Sequence, residues 1–233
     1  MLKIENTEVV GWSHAIRGMR NPKNSWDRSD SRYLSCIEAY RKGGDTLCLD
    51  CGTVKSKVFS VGPNDEQLMM TLRNAGTDHR KFMRMIAVYL DITAPLYWWK
   101  ELDTYKVGTV ANSCSTMHKI HAKEFTLDDF SHEHLQDDSI AVLESVIHTM
   151  NVHREWFNNK VLDDPKIDWW QMIQLLPASY NQKRTVMLNY EVLANIYKSR
   201  RNHKLDEWHT FCDWVETLPY AELITGIGRK SDD

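Results

Sequence analysis

The stretch 82-FMRMIAVYLDIT-93 is dense in apolar side chains, and its β-forming residues concentrate towards its C-terminal end. A short apolar run of this kind is typical of a buried strand, with a helix as the weaker alternative. We therefore predict a strand over residues 82–93. Pro95 follows closely, and because proline suits the first turn of a helix, we predict a short helix from Pro95 to about Thr104.

The segments on either side of this strand predict further regular structure. On the N-terminal side, Asn64 or Asp65 can cap a helix that runs to about Ala75 and ends at Gly76. On the C-terminal side, Thr, Val, Ser and Cys alternate across residues 108–118, which predicts a second strand. The first half of the chain is therefore expected to form the sheet.

The hydrophobic pattern changes to a helical period after Ser131. Apolar residues recur at three- and four-residue steps, which predicts one long helix over residues 134–162. Shorter helices are predicted over 168–176, where Asp168 is the cap, over 184–200 and over 205–217. Strands followed by helices predict an α+β fold: a single domain over residues 1–233, with a mostly antiparallel sheet covered by helices and long helices in the C-terminal half.

Composition and charge exclude several classes of protein. The 233 residues carry 29 Lys and Arg against 32 Asp and Glu, a net charge of −3, so no overall positive field is available for a nucleic-acid polymer. No apolar run approaches the roughly 20 residues that cross a bilayer, and the N-terminal residues contain no signal-peptide core. We expect a cytoplasmic protein with no membrane partner, in which local charge can still bind small anions.

The cysteines give little support for a disulfide or metal site. Five of them in a chain of this length are an odd and sparse set, so reduced thiols are expected. Cys48 and Cys51 have metal-ligand spacing, but a closed zinc site needs four ligands and no second pair follows. The favoured interpretation is a hairpin in which residues 50–52 form the turn between strands at 46–49 and 53–61. No metal is predicted.

A polar segment over residues 17–32 lacks a periodic apolar face, and we predict a long loop there. The segment and its flank combine arginines with tryptophans: Arg17, Arg20, Arg28, Trp12 and Trp26. Guanidinium groups and indoles together suit an anionic, ring-bearing ligand. A solvated loop that the two tryptophans hold in place is an equally open interpretation.

Two tryptophan pairs, Trp98-Trp99 and Trp169-Trp170, lie in predicted helices. Adjacent residues on a helix point about 100° apart, so each pair is expected to place one ring in the core and one at an edge. Tryptophans at an edge favour subunit interfaces. We therefore expect a homo-oligomer.

A series of short motifs follows in order along the chain: 76-GTDH-79, the predicted strand at 82–93, a run from Tyr97 to 112-NSCS-115, Leu176-Pro177, and then Asn189, Asn195 and Arg200. In order and spacing this series resembles the central region of the flavin-dependent thymidylate synthases. The chain departs from the pattern of that family where Tyr105-Lys106-Val107 replaces Arg-His-Arg. Further departures replace a glutamate and three arginines: Ser113, Met117, Ile173 and Glu191.

The resemblance implies flavin-dependent transfer of a one-carbon unit to C5 of a pyrimidine deoxynucleotide, dUMP to dTMP or a variant of it. It implies FAD, NADPH and 5,10-methylenetetrahydrofolate as cofactors and an active site built between the subunits of a homotetramer. The alternative is a non-catalytic homo-oligomeric protein that keeps the fold and a nucleotide pocket.

The resemblance also implies roles for particular residues. Ser115 is implied as catalytic and substrate-binding, and Arg200 and Lys106 as substrate-binding. The implied cofactor-binding residues are His79, Asn112, Asn189 and Asn195. If residues 184–200 form one helix, Asn189 and Arg200 are eleven positions apart and fall on nearly the same face, so they would line one groove.

Overall fold

The computed structural model describes residues 1–35, 38 and 57–227. These residues group into two compact units. The first unit contains residues 1–7, 89–187 and 201–214, and the second contains 8–88, 188–200 and 215–233 as far as they are described. The α+β class is confirmed, whereas the single domain over residues 1–233 stays a prediction. In the described part of the chain, no helix combines the length and apolar character needed to span a bilayer.

The strands form two sheets among the described residues. One sheet has the order β1-β4-β6-β5. Its members are β1 (Lys3–Val10), β4 (Ala87–Pro95), β5 (Val110–Ser113) and β6 (Asn181–Asn189). The other sheet pairs β2 (Arg32–Ser35) antiparallel with β3 (Lys57–Ser60). In β4 every second residue is buried, as expected of a strand with one face in the core: Val88, Leu90, Ile92 and Ala94.

The helices in the described residues are α1 (Trp12–Arg20), α2 (Pro63–Asn74), α3 (Leu96–Leu102), α4 (Asp137–Asn159), α5 (Lys166–Leu175), α6 (Tyr190–Arg200), α7 (Asp206–Glu216) and α8 (Glu222–Thr225). The helices predicted at 64–75, 95–104, 134–162, 168–176 and 205–217 are therefore confirmed, with ends that differ by up to three residues from the prediction. The 23 residues of α4 are the long helix that the 3.6-residue period predicted.

Asp91 on β4 links side chains of β1 and β6 in the first unit. Its carboxylate accepts hydrogen bonds from Thr185 Oγ1 at 2.6 Å and Asn6 Nδ2 at 2.9 Å, and Lys183 Nζ lies 3.2 Å away. The bond from Thr185, followed by those from Asn6 and Lys183, lowers the pKa of Asp91 to about 2. The charged form of this side chain is therefore the one that joins the strands.

Two of the predicted strands are shorter in the structure than in the prediction. The strand predicted over 82–93 begins only at Ala87, because residues Arg80–Met85 form a 3₁₀ helix. Phe82 and Met83 are buried within that 3₁₀ helix, so the apolar density that suggested one strand belongs to two consecutive buried elements. Similarly, the strand predicted over 108–118 is limited to β5.

The helix predicted over 184–200 is wrong in its first part. Residues up to Asn189 belong to β6, and α6 begins at Tyr190. Along β6, Gln182, Val186 and Leu188 are buried, which is the two-residue spacing of a strand.

Three other expectations need correction or lie outside the described residues. The loop predicted over 17–32 begins only after α1, which reaches Arg20 and buries Ile16 and Met19. Asp168 lies inside the first turn of α5, where it is buried and accepts a hydrogen bond from His153 Nδ1 at 2.9 Å instead of capping the helix. The predicted strand at 53–61 is β3 in its second half, and β3 pairs with β2. The predicted turn at 50–52 and both of its cysteines lie outside the described residues.

Aromatic side chains dominate the core of the first unit. Trp98 packs against the rings of Trp99, Trp208 and Phe211 with centroid separations of 4.8–5.8 Å. Trp98 and Trp99 are both buried, so the prediction that one of them lies at an edge is wrong. The reason is that α3 is covered on more than one side, by α7 and by β6, whose Gln182 carbonyl accepts the Trp99 indole N–H at 3.0 Å. The other pair follows the prediction: Trp169 is partly buried, and its neighbour Trp170 is 47% exposed.

Candidate functional site

A short 3₁₀ segment, Arg80–Met85, carries two arginines in the second unit. It lies against α1, where Gly11 has a φ of 97° and a Cβ would overlap the carbonyl oxygen of Met85. Glycine is therefore needed at Gly11 both for the backbone conformation and for the close approach. On the side of α6, the Tyr190 N–H donates to the Ile86 carbonyl at 3.1 Å. These contacts fix the segment between the two helices.

The two arginines of the segment converge on one carboxylate of α6. Glu191 is buried, and it accepts hydrogen bonds from Arg84 Nε and, at 3.4 Å, from Arg84 Nη2. Arg80 Nε lies 3.5 Å from Glu191 Oε1, and Arg80 Nη2 donates to Asn195 Oδ1 at 2.8 Å. We call Arg80, Arg84, Glu191 and Asn195 the arginine cluster. The hydrogen bond from Arg84 to Glu191, and then the charge of Glu191, raise the pKa of Arg84, so this guanidinium group stays charged.

A third arginine, Arg73, lies near enough for the charge of Arg80 to affect its pKa. Arg73 of α2 donates from Nε to the Leu223 carbonyl at 3.1 Å and from Nη2 to the Ile224 carbonyl at 3.3 Å. Burial, and after it the charge of Arg80, lowers the pKa of Arg73. The guanidinium groups of Arg73, Arg80 and Arg84 thus lie in the region of Glu191. Although the chain as a whole carries −3, this group of arginines suits an anionic ligand such as a phosphate.

The residues predicted to bind a cofactor in the second unit take different places around the cluster. His79 is exposed and immediately precedes Arg80, and its backbone N–H donates to the Gly76 carbonyl at 3.2 Å. Asn195 is a member of the cluster through its bond to Arg80. Asn189 is buried at the end of β6, where its Oδ1 accepts the Val192 N–H at 3.0 Å and so caps α6.

The expectation that Asn189 and Arg200 share one helical face is wrong, because Asn189 precedes the helix. Arg200 ends α6. At a rise of 1.5 Å per residue it lies roughly 14 Å along the axis from Glu191, so it would meet a different part of a ligand.

The predicted site residues of the first unit lie before, on and after the exposed strand β5. Asn112 is exposed and opposite Thr185 of β6. Ser115 follows the strand, and its hydroxyl oxygen accepts the N–H groups of Met117 at 3.2 Å and His118 at 2.9 Å. Ser115 therefore stabilises a local turn, which is a common structural role of serine side chains. Lys106 is exposed in the turn that leads to β5.

Sequence reasoning missed three arginines that the structure holds in place. Arg80 and Arg84 are four positions apart next to the 76-GTDH-79 motif, and this spacing was the available signal. Arg184 lies opposite Ser113, with its Cζ 4.2 Å from the centroid of the Trp99 ring and its Nη1 2.9 Å from Asp103 Oδ1. Because residue 184 was assigned to a helix, its position beside β5 could not be inferred.

No protein-family model and no curated protein matches the sequence. Solved structures do match. The flavin-dependent thymidylate synthase ThyX from Helicobacter pylori, complexed with FAD and dUMP, aligns with a TM-score of 0.63 and 13% identity over 97% of this chain and 100% of that chain. The UMP/dUMP methylase PolB from Streptomyces cacaoi, bound with 5-Br dUMP, aligns with a TM-score of 0.56 and 14% identity over 98% of this chain and 96% of that chain. From end to end, this chain therefore has the fold of the flavin-dependent thymidylate synthases.

Proposed function

We propose that this protein is a flavin-dependent enzyme that transfers a one-carbon unit to C5 of a pyrimidine deoxynucleotide. The observation that carries the proposal is the end-to-end likeness in fold to a synthase solved with FAD and dUMP and to a methylase solved with a dUMP analogue. Fold alone does not fix an activity, so the proposal also needs residues whose chemistry fits these ligands.

The arginine cluster fits an anionic dinucleotide such as FAD. Arg84 is 62% exposed and Arg80 is 19% exposed, so both guanidinium groups can be reached from solvent while Glu191 fixes their orientation. Guanidinium groups bind phosphate oxygens through charge-assisted, often bidentate hydrogen bonds. We propose that Arg80 and Arg84 join His79, Asn112, Asn189 and Asn195 in holding FAD.

The position of Glu191 supports this assignment. The family pattern has an arginine there, and a glutamate alone would repel a phosphate. In this chain Glu191 receives Arg80 and Arg84 from the 3₁₀ segment. The positive charge that the pattern has on α6 is thus supplied from the neighbouring segment, and Glu191 is a positioning residue for it.

The chain's own task in the proposed reaction is to bind and orient. FAD reduced by NADPH supplies the hydride and 5,10-methylenetetrahydrofolate supplies the carbon. We propose that Ser115, Lys106 and Arg200 contact the pyrimidine nucleotide, Ser115 at the reacting base, and that Arg184, which lies opposite Ser113 and is held by Trp99 and Asp103, adds a cation. Correct placement of reactants alone accounts for a large part of an enzymatic rate.

We further propose a homotetramer in the cytoplasm. The strand β5 is exposed along its whole length and ends the order β1-β4-β6-β5, and an exposed edge strand can pair or pack with a second copy. Trp156 and Trp170 are 42% and 47% exposed and suit the same purpose. Light scattering tests the assembly, and a monomer at micromolar concentration would contradict an active site built between subunits.

The first experiment is a titration of the purified protein with FAD, followed by its absorption spectrum. We expect a yellow protein or saturable uptake of FAD. Arg80→Ala should weaken uptake roughly ten- to a hundredfold, since a hydrogen bond to a charged group contributes about 1.5–3 kcal/mol, whereas the exposed Asp78→Asn should leave it unchanged. A colourless protein without uptake at high micromolar FAD would contradict the cofactor and favour the non-catalytic alternative.

The second experiment follows tritium release from C5 of dUMP and of dCMP, with FAD, NADPH and methylenetetrahydrofolate present. We expect release from at least one of the two, and Arg200→Ala should weaken binding of that nucleotide by about 1.5–3 kcal/mol while the fold persists. Release from neither nucleotide, by protein shown to hold FAD, would contradict the proposed reaction.

A further inference from the structure

A cavity of about 250 Å³ opens in the second unit beside α1. Its walls include one face of that helix, the segment that follows it and the strand β3. The lining side chains include Ser13, Arg17, Arg20, Trp26, Ser31 and Phe59. None of the residues assigned above to FAD or to the nucleotide lines it, so the proposed function leaves this cavity without a role.

One wall of the cavity is a buried and tightly held guanidinium group. Arg20 is 4% exposed, and it donates from Nε to Asp65 Oδ1 at 2.6 Å and from Nη1 to the Ser25 carbonyl at 3.2 Å. Its Nη2 makes no hydrogen bond with the residues that the structure describes. A guanidinium group fixed on two sides loses little conformational entropy when a ligand meets its third nitrogen.

Among the described side chains that line the cavity, the charged ones are the arginines Arg17 and Arg20. Asp65 neutralises Arg20 and is itself occupied, because its Oδ2 accepts hydrogen bonds from Ser29, Asp30 and Ser31. Arg17, one turn before Arg20 on α1, is exposed and forms no ion pair with any described residue. Among the described residues that line the cavity, Arg17 therefore remains as one unpaired positive charge, together with the Ser13 hydroxyl.

The remaining walls are aromatic. Trp26 is 50% exposed, and its indole N–H donates to Asn21 Oδ1 at 2.8 Å, which fixes the plane of the ring. Phe59 packs edge-on against Tyr33 with ring centroids 5.0 Å apart. An indole and a phenyl ring beside two guanidinium groups suit a ligand that combines a planar ring with a negative charge.

We propose that this cavity is a second binding site, for a small anion that carries a planar ring. The volume of about 250 Å³ suits a ligand that places a single ring system in the cavity. The ring lies against Trp26 and Phe59, and the anionic group meets Arg17 and Nη2 of Arg20. The anionic group is a carboxylate or a phosphate, and titrations with benzoate and dUMP distinguish these two.

The test is isothermal titration of the full-length protein with benzoate, with dUMP and with the uncharged benzamide. Arg17→Ala should weaken binding of the anionic probe about tenfold or more, as expected for a lost charge-assisted hydrogen bond. The matched control is Arg28→Ala, an exposed arginine of the same region that does not line the cavity, and it should leave binding unchanged. Trp26→Leu should weaken binding as well, because the ring contact is lost.

Each outcome decides one point. Arg17-dependent binding of benzoate alone supports the site with a carboxylate ligand, and Arg17-dependent binding of dUMP supports it with a phosphate ligand. Binding of neither anion, equal binding of benzamide, or equal weakening by Arg28→Ala would overturn the proposal. The FAD titration repeated on Arg17→Ala separates this site from the proposed function, because FAD uptake should be unchanged.

Discussion

Two arginine–carboxylate pairs in the second unit use the same chemistry for different purposes. Arg20 and Asp65 are both buried, and the carboxylate accepts five hydrogen bonds from its surroundings. Glu191 is also buried, but its partner Arg84 is 62% exposed. In the first pair the Asp65 carboxylate is enclosed and fully hydrogen-bonded, so this pair stabilises the fold, while Arg20 still lines the cavity. In the second pair, Glu191 holds a guanidinium group that is largely exposed to solvent. The exposure of the cation therefore distinguishes the two pairs.

The largest effect is expected when the enclosed pair loses its carboxylate charge. Asp65→Asn leaves Arg20 buried without a counter-charge, and breaking a buried ion pair in this way costs about 3–5 kcal/mol of unfolding free energy. Urea denaturation measures the loss. The control is the exposed Asp78→Asn, which should change stability little. A loss for Asp65→Asn no greater than that of the control would show that enclosure of the pair does not determine its contribution.

Acid should remove part of the stabilisation that the ionised Asp65 carboxylate provides. Burial acts to raise the pKa of Asp65, but hydrogen bonds from Ser31, Ser29 and Arg20 outweigh it and hold the pKa below its ordinary value. Because the folded pKa is the lower one, this stabilisation is complete above the unfolded pKa of about 3.9 and is lost as the pH falls through the folded pKa. The difference in unfolding free energy between wild type and Asp65→Asn should therefore narrow below about pH 4. A difference that stays constant from pH 6 to pH 3 would contradict the depressed pKa.

The contrast between the two pairs also shows what the sequence could and could not predict. Helix α4 was predictable because its apolar residues repeat along one face over 23 positions. The boundary between β6 and α6 was not, because neither glycine nor proline marks it. The one local signal is Asn189, a residue type that often caps helices, and its Oδ1 accepts the Val192 N–H at the start of α6.

The arginine cluster lay beyond the reach of local patterns for a different reason. Arg84 and Glu191 are 107 positions apart, and no periodicity relates them. Their pairing depends on how the 3₁₀ segment packs against α6, which the assignment of residues 82–93 to one strand concealed. Glu191 was visible in the sequence, but the arginines that pair with it were visible only in the fold.

A smaller loss of unfolding free energy is expected when the pair of Arg84 and Glu191 loses its carboxylate charge. Glu191→Gln removes the partner of Arg80 and Arg84, but Arg84 is already largely hydrated and regains water at little cost. We expect a loss of about 1–2 kcal/mol of unfolding free energy, mainly from Arg80 and from the buried side chain itself. Urea denaturation beside the exposed Glu144→Gln gives the comparison. A loss as large as that of Asp65→Asn would remove the distinction between the two pairs.

The smallest effect is expected for the exposed cation itself. Arg84→Ala removes a side chain that is 62% exposed, and Arg80 remains to face Glu191, so the urea midpoint should move less than in Glu191→Gln. Because the lost interaction is largely exposed, the difference from wild type should shrink further as salt is raised to about 1 M, where the Debye length is about 3 Å. Arg84→Lys keeps the charge without the planar fork and serves as the matched variant. If the role of Arg84 is to present charge to a ligand, Arg84→Ala should lower the free energy of FAD binding by much more than it lowers the free energy of unfolding. Equal and salt-independent losses of stability in Arg84→Ala and Glu191→Gln would instead make this pair as structural as that of Arg20 and Asp65.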